Sequence, residues 1–523
     1  MMIFNNLQKN LTIFLIFIFP LTLITGPLIP EVIVFLIIVI FLKDVIYIKN
    51  YTIFKNFYFI YFGLFIIYLI FISLISDFKD QILFKNLFFF RFFLFVFSIY
   101  YFFQIKEIFI KSLFFSLNLV FLLLIFDGFY QYFFDQNTLG YPQLRPDRVS
   151  SFFGDRLVLG SYLSKFIFIY LGLYLYLKNK MKNYQAIIHL CLVFFTFITI
   201  IISGDRAALF ITLIGFILLF LLLNINIKKK IIIFFSIFSC LTAIFSLNEK
   251  IFDRYIHQTV DQFNIFSIEK NQSFFENIKY YSLTWQTSNK AFLDKKIFGQ
   301  GPKTFRIYCS DERFKTLSNE LSKERNDLVT FKVHKKYMNV RITDIYVKNG
   351  DKIDLGTDIL VFEHRDRLFN FVSKKKGIVN KLQININDII DPGHLIFHLD
   401  LSGSNIKPTT FFYKDGCTTH PHQVYLQLLS ETGIIGFLFI FLCFIYSIVC
   451  IIRFIYLKLF KKIIIYSDFQ LCIIVNLSLY LFPITTSGNF FNNWYIMLHL
   501  IQISVSLYAF KNNEKKSMDI KNN

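Results

Sequence analysis

Long apolar runs follow one another along most of the chain, separated by short polar segments. Each run is close to the ~20 residues that a helix needs to cross a bilayer, so each predicts a transmembrane helix. The first run lacks a small-residue cleavage site and is followed directly by others, which is typical of an anchor. The pattern predicts an all-α polytopic membrane protein with about twelve spans. They lie at about 11–28, 30–47, 53–75, 82–104, 107–130, 157–178, 186–203, 205–224, 231–248, 433–455, 463–483 and 490–510.

Lysine and arginine are concentrated in every second connection between these runs. Short odd-numbered connections, such as 25–30 and 483–493, carry almost none. The positive-inside rule therefore predicts a bacterial inner-membrane protein with both termini in the cytoplasm. The basic residues of the even-numbered connections and the tail include Lys43, Lys49, Lys55, Lys178, Lys180, Lys182, Lys228, Lys229, Lys230, Arg453, Lys458, Lys461, Lys462, Lys511, Lys515 and Lys516.

This topology predicts four regions along the chain. Residues 1–248 form a transmembrane region of about nine helices, and 249–432 form a large periplasmic loop, which is too long to be a simple connection. Residues 433–510 form a second transmembrane region of about three helices, and 511–523 form a cytoplasmic tail. Chemistry that needs water and charged groups is expected on the periplasmic side.

The composition agrees with a membrane protein, since 55% of the residues are hydrophobic and the mean hydropathy is +0.53. A net charge of +20 would suggest nucleic acid as the partner of a soluble protein. Here the lysines lie mostly in short tracts between apolar runs, where membrane orientation places them. The lipid bilayer is therefore the expected partner, and nucleic acid is not.

Two of the seven cysteines, Cys309 and Cys417, lie outside the apolar runs, both in the large loop. Two cysteines in an oxidising compartment predict a disulfide, with two unpaired thiols as the alternative. The other five lie within apolar runs and are expected to be small core residues.

An internal repeat with an offset of 37 residues lies between those cysteines. Residues 342–347 match 379–384, and 351–356 match 388–393. Apolar and polar residues alternate in both copies, with turn signals at 349–351 and 391–393, which predicts a small β-sandwich over 330–402. The pattern resembles a biotinyl/lipoyl-carrier domain. Arg367 stands where that family has its modified lysine, so the resemblance implies a scaffold without an attached cofactor.

Four polar motifs lie at the predicted periplasmic face. The first combines Arg148 with Arg156, the second contains Arg206, the third ends at Arg306, and the fourth contains His420 and His422. Arginines bind phosphate in a bidentate manner, and a neutral histidine can accept a proton from a hydroxyl. Each motif also has a plainer interpretation: Arg206 can extend to the interface, and the loop arginines can simply be solvated. No carboxylate or cysteine cluster completes a zinc site with the histidines.

The four motifs in this order resemble the O-antigen ligase/polymerase family of lipid-linked glycan transferases. The strongest match is THPHQVYLQLLSETGIIG, residues 419–436, and the weaker ones are FGDRLVLGSYL, SGDRAAL and FGQGPKTFR. The resemblance covers about residues 1–310 and 410–510, with the sandwich as an insertion.

The resemblance implies particular roles for individual residues. His422 corresponds to the base that activates the acceptor hydroxyl, and Arg206 to the arginine that binds the diphosphate. Arg148, Arg156 and Arg306 are candidates for further phosphate contacts, with His420 and Gln423 as other substrate-binding candidates. Gln423 stands where the family has asparagine. A second loop arginine has no clear equivalent, and Lys279 or Arg254 could replace it.

The resemblance implies an inverting glycosyltransferase that uses neither metal nor cofactor. Its donor would be a glycan linked to undecaprenyl pyrophosphate, and lipid A–core is the favoured acceptor. Two alternatives within the family remain: a polysaccharide polymerase, which extends another glycan, and a protein O-oligosaccharyltransferase. Outside the family, a transporter or flippase, or a membrane anchor for the sandwich, also remains.

Overall fold

The computed structural model describes residues 6–49, 51–263, 281–311, 313–314, 328–333, 339–354, 356–364, 367–373, 377–380, 382–392, 394–400, 417–483 and 488–521. The chain divides into two units. Met1–Lys315 with Gly416–Asn523 form the helical unit, and Thr316–Asp415 form the β unit.

A helix lies at each of the twelve predicted apolar runs, and shorter helices follow the ninth. The helices before residue 300 are α1 (Asn6–Thr25), α2 (Leu28–Ile48), α3 (Phe57–Ile75), α4 (Lys79–Leu87), α5 (Phe90–Ile105), α6 (Glu107–Phe134), α7 (Leu159–Leu177), α8 (Asn183–Ile202), α9 (Arg206–Leu222), α10 (Ile227–Leu247), α11 (Glu249–Tyr255), α12 (His257–Phe263) and α13 (Ser282–Asp294). They are followed by α14 (Phe305–Tyr308), α15 (Val424–Phe460), α16 (Asp468–Tyr480) and α17 (Asn493–Lys521).

Seven helical segments in the described part of the chain are long and apolar enough to cross a membrane. These helices are consistent with the predicted membrane protein, while the predicted number of twelve spans stays a prediction. Two further apolar helices, α9 and α16, have only 17 and 13 residues. The seven segments are Asn6–Thr25, Phe57–Ile75, Lys79–Ile105, Glu107–Phe134, Leu159–Lys180, Asn183–Ile202 and Val424–Phe460.

Helix α7 lies in the interior of the helical unit, because 15 of its 19 residues are buried. Side-chain caps determine where several of the surrounding helices begin. Asn56 accepts a hydrogen bond from Tyr58 N at the start of α3, and Asp205 accepts one from Ala208 N at the start of α9. Such caps satisfy backbone N–H groups that have no partner within the helix.

Helix α15 is broken at Gly433, where φ is 63° and ψ is −171°. The break exposes carbonyl groups that the helix would otherwise use, and the turn before Pro302 binds them. Gln300 N donates to Ser430 O at 2.9 Å, and Gly301 N donates to Glu431 O at 2.8 Å. The third and fourth motifs of the sequence are therefore joined through their backbones.

The predicted disulfide between Cys309 and Cys417 is present, and both cysteines belong to the helical unit. Their α-carbons are 4.9 Å apart although 108 positions separate them in the chain. The bond thus closes the segment that contains the β unit.

The β unit contains two four-stranded antiparallel sheets. Its strands are β1 (Leu328–Lys332), β2 (Val340–Ile345), β3 (Lys352–Ile353), β4 (Asp358–His364), β5 (Arg367–Val372), β6 (Gly377–Asn380), β7 (Ile389–Ile390) and β8 (Leu395–Asp400). One sheet has the order β1-β8-β6-β3 and the other β5-β4-β2-β7. Buried aliphatic residues such as Ile342, Ile359 and Val379 form the core of this unit.

The 37-residue repeat of the sequence is also a repeat of the strands. Strands β2, β3 and β4 begin at residues 340, 352 and 358, and β6, β7 and β8 begin at 377, 389 and 395. The turns repeat as well: Lys348 N donates to Asp351 Oδ2, and Asn385 N donates to Asp388 Oδ2, both at 2.6 Å. Strand β3 pairs with β6, and β7 pairs with β2, so each copy supplies a strand to the other copy's sheet.

Arg367, the residue at the position of the carrier lysine, begins β5 and is paired with His364 of β4. The two residues between them lie outside the described part of the chain.

Candidate functional site

A cavity of about 1340 Å³ lies in the helical unit and is lined by residues of all four polar motifs. It exceeds the roughly 300–1,000 Å³ that is usual for small-molecule pockets, so it has room for a large ligand. The predicted site residues that line it are Arg148, Arg156, Arg306, His420, His422 and Gln423.

His422 lies just before α15 in a left-handed backbone conformation, with φ of 58°. Its ring centroid is 4.1 Å from that of His420 and 5.3 Å from that of Tyr281. Trp285 stabilises the loop that contains His420 and His422, because its indole N–H donates to Pro421 O at 2.9 Å. The backbone conformation and the packed rings thus fix the position of the imidazole.

Burial lowers the pKa of His422 to about 3, and the neighbouring His420 lowers it further. Removing an ion from water disfavours the charged form, and a second positive charge acts in the same direction. The imidazole of His422 is therefore neutral at pH 7 and able to accept a proton.

His420 and Gln423 both take part in the structure of this loop. Thr419 Oγ1 lies 2.9 Å from His420 Nδ1, and His420 N donates to Thr418 Oγ1 at 3.2 Å. Gln423 caps α15, since its Oε1 accepts from Leu426 N and its Nε2 donates to Pro483 O, both at 2.6 Å. Both the oxygen and the nitrogen of the Gln423 amide are therefore engaged in hydrogen bonds that stabilise the loop and the start of α15.

Glu431 connects the His422 segment to the third motif. Its Oε1 accepts from Phe305 N at 2.8 Å, and its Oε2 accepts from Lys303 N at 3.2 Å and from Gln427 Nε2 at 3.0 Å. The side chain is buried, with 1% of its surface exposed. Glu431 lies within the fourth motif, residues 419–436, and its hydrogen bonds hold the third motif against that segment.

The first and second motifs meet at the turn formed by Gly204. Arg148 Nε donates to Ser203 O at 3.5 Å, and its NH2 donates to Leu157 O at 2.8 Å. Arg254 Nε donates to Gly204 O at 3.1 Å and lies 3.7 Å from Asp147 Oδ2. Gly204 has a φ of 61°, and a Cβ there would collide with the carbonyl of Asp147. The close approach of the two motifs thus requires glycine.

Arg206 lies at the beginning of α9 but is not among the lining residues of this cavity in the described chain. Its NH1 donates to Gln258 O at 2.8 Å and to Thr259 Oγ1 at 3.2 Å. Its guanidinium therefore contacts α12 in this conformation, although its neighbours Asp205 and Ala207 line the cavity. Lys279, the proposed substitute for a loop arginine, lies outside the described residues.

Sequence reasoning did not assign four cations of the cavity: Lys85, Arg91, Lys165 and Lys303. Arg91 and Lys165 lie within apolar runs, and an ionisable residue in such a run is itself a signal of function. Lys165 Nζ lies 5.1 Å and 4.9 Å from the ring centroids of Tyr480 and Tyr495. Lys303 lies inside the third motif, FGQGPKTFR, in which only Arg306 was assigned a role.

The cavity is strongly positive, with seven cationic side chains against one carboxylate, that of Asp205. Among the described residues, only Arg91 of the seven forms an ion pair, with Glu31 at 2.8 Å. Arg156 and Arg306 are exposed to the cavity. The seven are Lys85, Arg91, Arg148, Arg156, Lys165, Lys303 and Arg306.

No group of three or more His, Cys, Asp or Glu side chains is placed to hold a metal ion in the part of the chain that the structure describes. No protein-family model and no curated protein matches the chain.

Proposed function

We propose that this protein is a membrane glycosyltransferase that moves a glycan from a polyprenyl diphosphate lipid, undecaprenyl pyrophosphate, to a hydroxyl of an acceptor. One observation carries the proposal: a neutral histidine and seven cations line the same large cavity. Lipid A–core is the favoured acceptor, and the activity is that of an O-antigen ligase.

The charge of the cavity supports a diphosphate as the leaving group. Positive side chains aimed at a site where negative charge develops stabilise the transition state. Arg148 and Arg156 line the cavity, and we assign them to the diphosphate. Arg254 donates to the carbonyl of Gly204 and Arg206 follows that turn in the chain, and both act as positioning residues in this assignment.

His422 is the proposed general base. Its neutral imidazole removes the proton from the acceptor hydroxyl while the hydroxyl oxygen bonds to the anomeric carbon of the glycan. The bond between that carbon and the diphosphate oxygen breaks, and the diphosphate leaves with the electron pair. Because the acceptor enters opposite the leaving group, the configuration at the anomeric carbon inverts.

The apolar helices support a place in a membrane, and we propose the bacterial inner membrane. We propose twelve spans, cytoplasmic termini and a periplasmic loop over 249–432, because this arrangement places the short lysine-rich connections inside. Single cysteines introduced at Lys228 and Leu139 test it, with a membrane-impermeant thiol reagent on intact spheroplasts. Labelling at 139 but not at 228 is expected, and the opposite pattern would reject the orientation.

The activity is tested with the full chain in lipid nanodiscs, an undecaprenyl-diphosphate-linked glycan and purified lipid A–core. His422→Ala should lower transfer by roughly 10²- to 10⁴-fold, the usual contribution of a general base. His257→Ala is the matched control, since His257 does not line the cavity. Full transfer by His422→Ala, with correct folding shown by the intact Cys309–Cys417 bond, rejects the assignment.

A deletion strain separates the ligase from its alternatives. Lipid A–core without polymer indicates a ligase, and core carrying a single repeat unit indicates a polymerase. Normal lipopolysaccharide with unmodified glycoproteins indicates a protein O-oligosaccharyltransferase.

A further inference from the structure

Six of the seven cations of the cavity form two groups that belong to different parts of the fold, and the seventh, Lys165 of α7, belongs to neither. The first group is Arg148 and Arg156, and Arg148 donates to Ser203 O beside the Gly204 turn and to Leu157 O, in the residue that follows Arg156. Lys85 and Arg91 come from α4 and α5, and Lys303 and Arg306 come from the third motif and α14. We name the second set (Lys85, Arg91, Lys303 and Arg306) the lysine cluster.

The electrostatic neighbours of the two groups are different. Burial lowers the pKa of Lys303 to about 8, and the cations Arg91, Arg306 and Lys85 add to this effect. Burial lowers the pKa of Arg254 to about 10, and Arg148, Arg206 and Arg145 add to it. Lys303 and Arg254 share none of these neighbours, and the two groups of lining cations come from different elements, so we treat the groups as separate regions of positive charge.

One diphosphate cannot balance the charge of the whole cavity. The seven lining cations exceed three carboxylates by four charges: those of Asp205, of Glu31 (the partner of Arg91) and of Glu431 (a neighbour of Lys303). A diphosphate that is esterified at both ends carries about two negative charges, one on each phosphoryl group. A ligand that displaced water while bringing only these charges would leave cations buried without partners, which is unfavourable.

The lysine cluster is attached to the segment that carries the proposed base. Lys303 N and Phe305 N donate to the carboxylate of Glu431, which follows His422 by nine positions. Lys303 Nζ lies 5.1 Å from the ring centroid of Phe89, at the beginning of the α5 region. Within the described chain, Lys85, Lys303 and Arg306 form no ion pair, so their charges are available to a ligand.

Inversion requires the acceptor and the diphosphate to lie on opposite sides of the anomeric carbon. We propose that the lysine cluster is a second anion-binding subsite, which binds a phosphate or carboxylate group of the acceptor while Arg148 and Arg156 bind the diphosphate. The proposal rests on the proposed function, and it adds that the acceptor is an anionic glycolipid. Charge on the acceptor then decides which hydroxyl reaches His422.

The test compares lipid A–core that retains its phosphates with the same material after phosphatase treatment. The variant is Lys303→Gln/Arg306→Gln in the full chain in nanodiscs. The matched control is Lys295→Gln/Arg313→Gln, which removes the same charge from residues paired with Asp77 and Asp311 outside the cavity. Binding of fluorescently labelled acceptor is measured without donor, and the KM for acceptor and the KM for donor are measured in transfer.

The cluster variant should weaken binding of the phosphorylated acceptor by about tenfold or more, because it removes two charge-assisted contacts. The KM for donor should stay within about twofold, and the dephosphorylated acceptor should bind the wild type and the variant equally. Equal losses with both acceptors, an unchanged affinity, or a loss confined to the donor overturns the proposal.

The two proposals fail in different ways. If the wild type binds phosphorylated acceptor through the cluster but transfers no glycan, the subsite stands without the transferase. If transfer proceeds and the cluster variant matches the control, the transferase stands and the subsite is rejected.

Discussion

At the scale of single residues, the site combines a buried neutral imidazole with cations that are exposed to the cavity. His422 is enclosed by the rings of His420 and Tyr281 and kept neutral by its surroundings. The arginines and lysines beside it remain charged, because the cavity is open enough to solvate Arg156 and Arg306. A neutral base and several cations can therefore coexist in one cavity, which proton abstraction beside a diphosphate requires.

The pH dependence of transfer reports the state of His422. Because its pKa is about 3 in the free protein, the neutral form persists well below pH 6.5, and kcat/KM should be level between about pH 7.5 and 5. Bound diphosphate favours the charged imidazole, so the acid limb of kcat should lie at higher pH than that of kcat/KM. Both are measured in the nanodisc assay. A kcat/KM profile that falls with an ordinary histidine pKa near 6.5 would contradict the burial of this residue.

The alkaline side of the profile reports Lys303. With a pKa of about 8, its ammonium is charged below that pH and loses the charge above it, so the KM for the anionic acceptor should rise above about pH 8. Lys303→Arg keeps the charge and should make the KM level to about pH 9.5. If the KM for the acceptor rises above pH 8 equally in the wild type and in Lys303→Arg, Lys303 is not the cause of the rise.

At the scale of elements, the break in α15 joins two motifs that lie far apart in the chain. The carbonyls freed at Ser430 and Glu431 accept hydrogen bonds from the third motif, and the carboxylate of Glu431 accepts two more backbone N–H groups. Helix α15, the His422 loop and the lysine cluster therefore form one connected structure. A break in a helix is tolerated inside a membrane protein when neighbouring groups bind the freed backbone atoms.

Gly433→Ala tests this connection. Its φ of 63° and ψ of −171° are unfavourable for an L residue, and a Cβ would collide with the backbone of Ile297 and Phe298. The substitution should cost about 1–3 kcal/mol of stability and lower transfer strongly. The apparent Tm in detergent and the transfer rate are the measurements.

Gly63→Ala is the control for that substitution. A Cβ at Gly63 would meet only Phe93, at 3.6 Å, within a regular part of α3. Its Tm and transfer rate should match the wild type, since alanine is favoured over glycine in helices. Equal behaviour of the two alanine variants would show that the break at Gly433 is unimportant.

At the scale of the whole molecule, the β unit is an insertion closed by a disulfide of the helical unit. The two copies of its repeat exchange short strands, so each sheet contains residues of both copies. The cavity is lined by the helical unit alone in the described chain. The chemistry of the cavity is therefore expected to be independent of the β unit.

Replacing residues 316–415 by a short Gly/Ser linker tests that independence. The α-carbons of Cys309 and Cys417 are 4.9 Å apart, so a short linker can close the chain. The shortened protein should form the disulfide, because a shorter loop costs less entropy to close, and the bond is seen by mobility on a non-reducing gel. It should retain transfer within about threefold, because the described residues that line the cavity belong to the helical unit. Cys309→Ser in the shortened chain is the control for the gel. Loss of transfer with the disulfide intact would give the β unit a part in the reaction.

The positions of the helices, the disulfide and the strand repeat followed from the sequence, because each depends on a local or simply periodic signal. Apolar runs predicted the helices, two cysteines outside them predicted the bond, and the offset of 37 residues matched the strand starts of the two copies. Periodicity is a property of the chain itself, so it can be read without knowing which segments meet. The number of spans stays a prediction, since α9 and α16 are shorter than their apolar runs.

The composition of the cavity was decided by the tertiary structure. Lys85 lies outside the four motifs, and Lys303 lies within the third motif without an assigned role; the packing of that motif against the broken α15 brings Lys303 into the site. Arg206, the arginine favoured by its motif, bonds to α12 instead of lining the cavity. Which side of a helix faces a cavity depends on how the helices pack, and the pattern of apolar residues does not contain that information when membrane helices are apolar on every side.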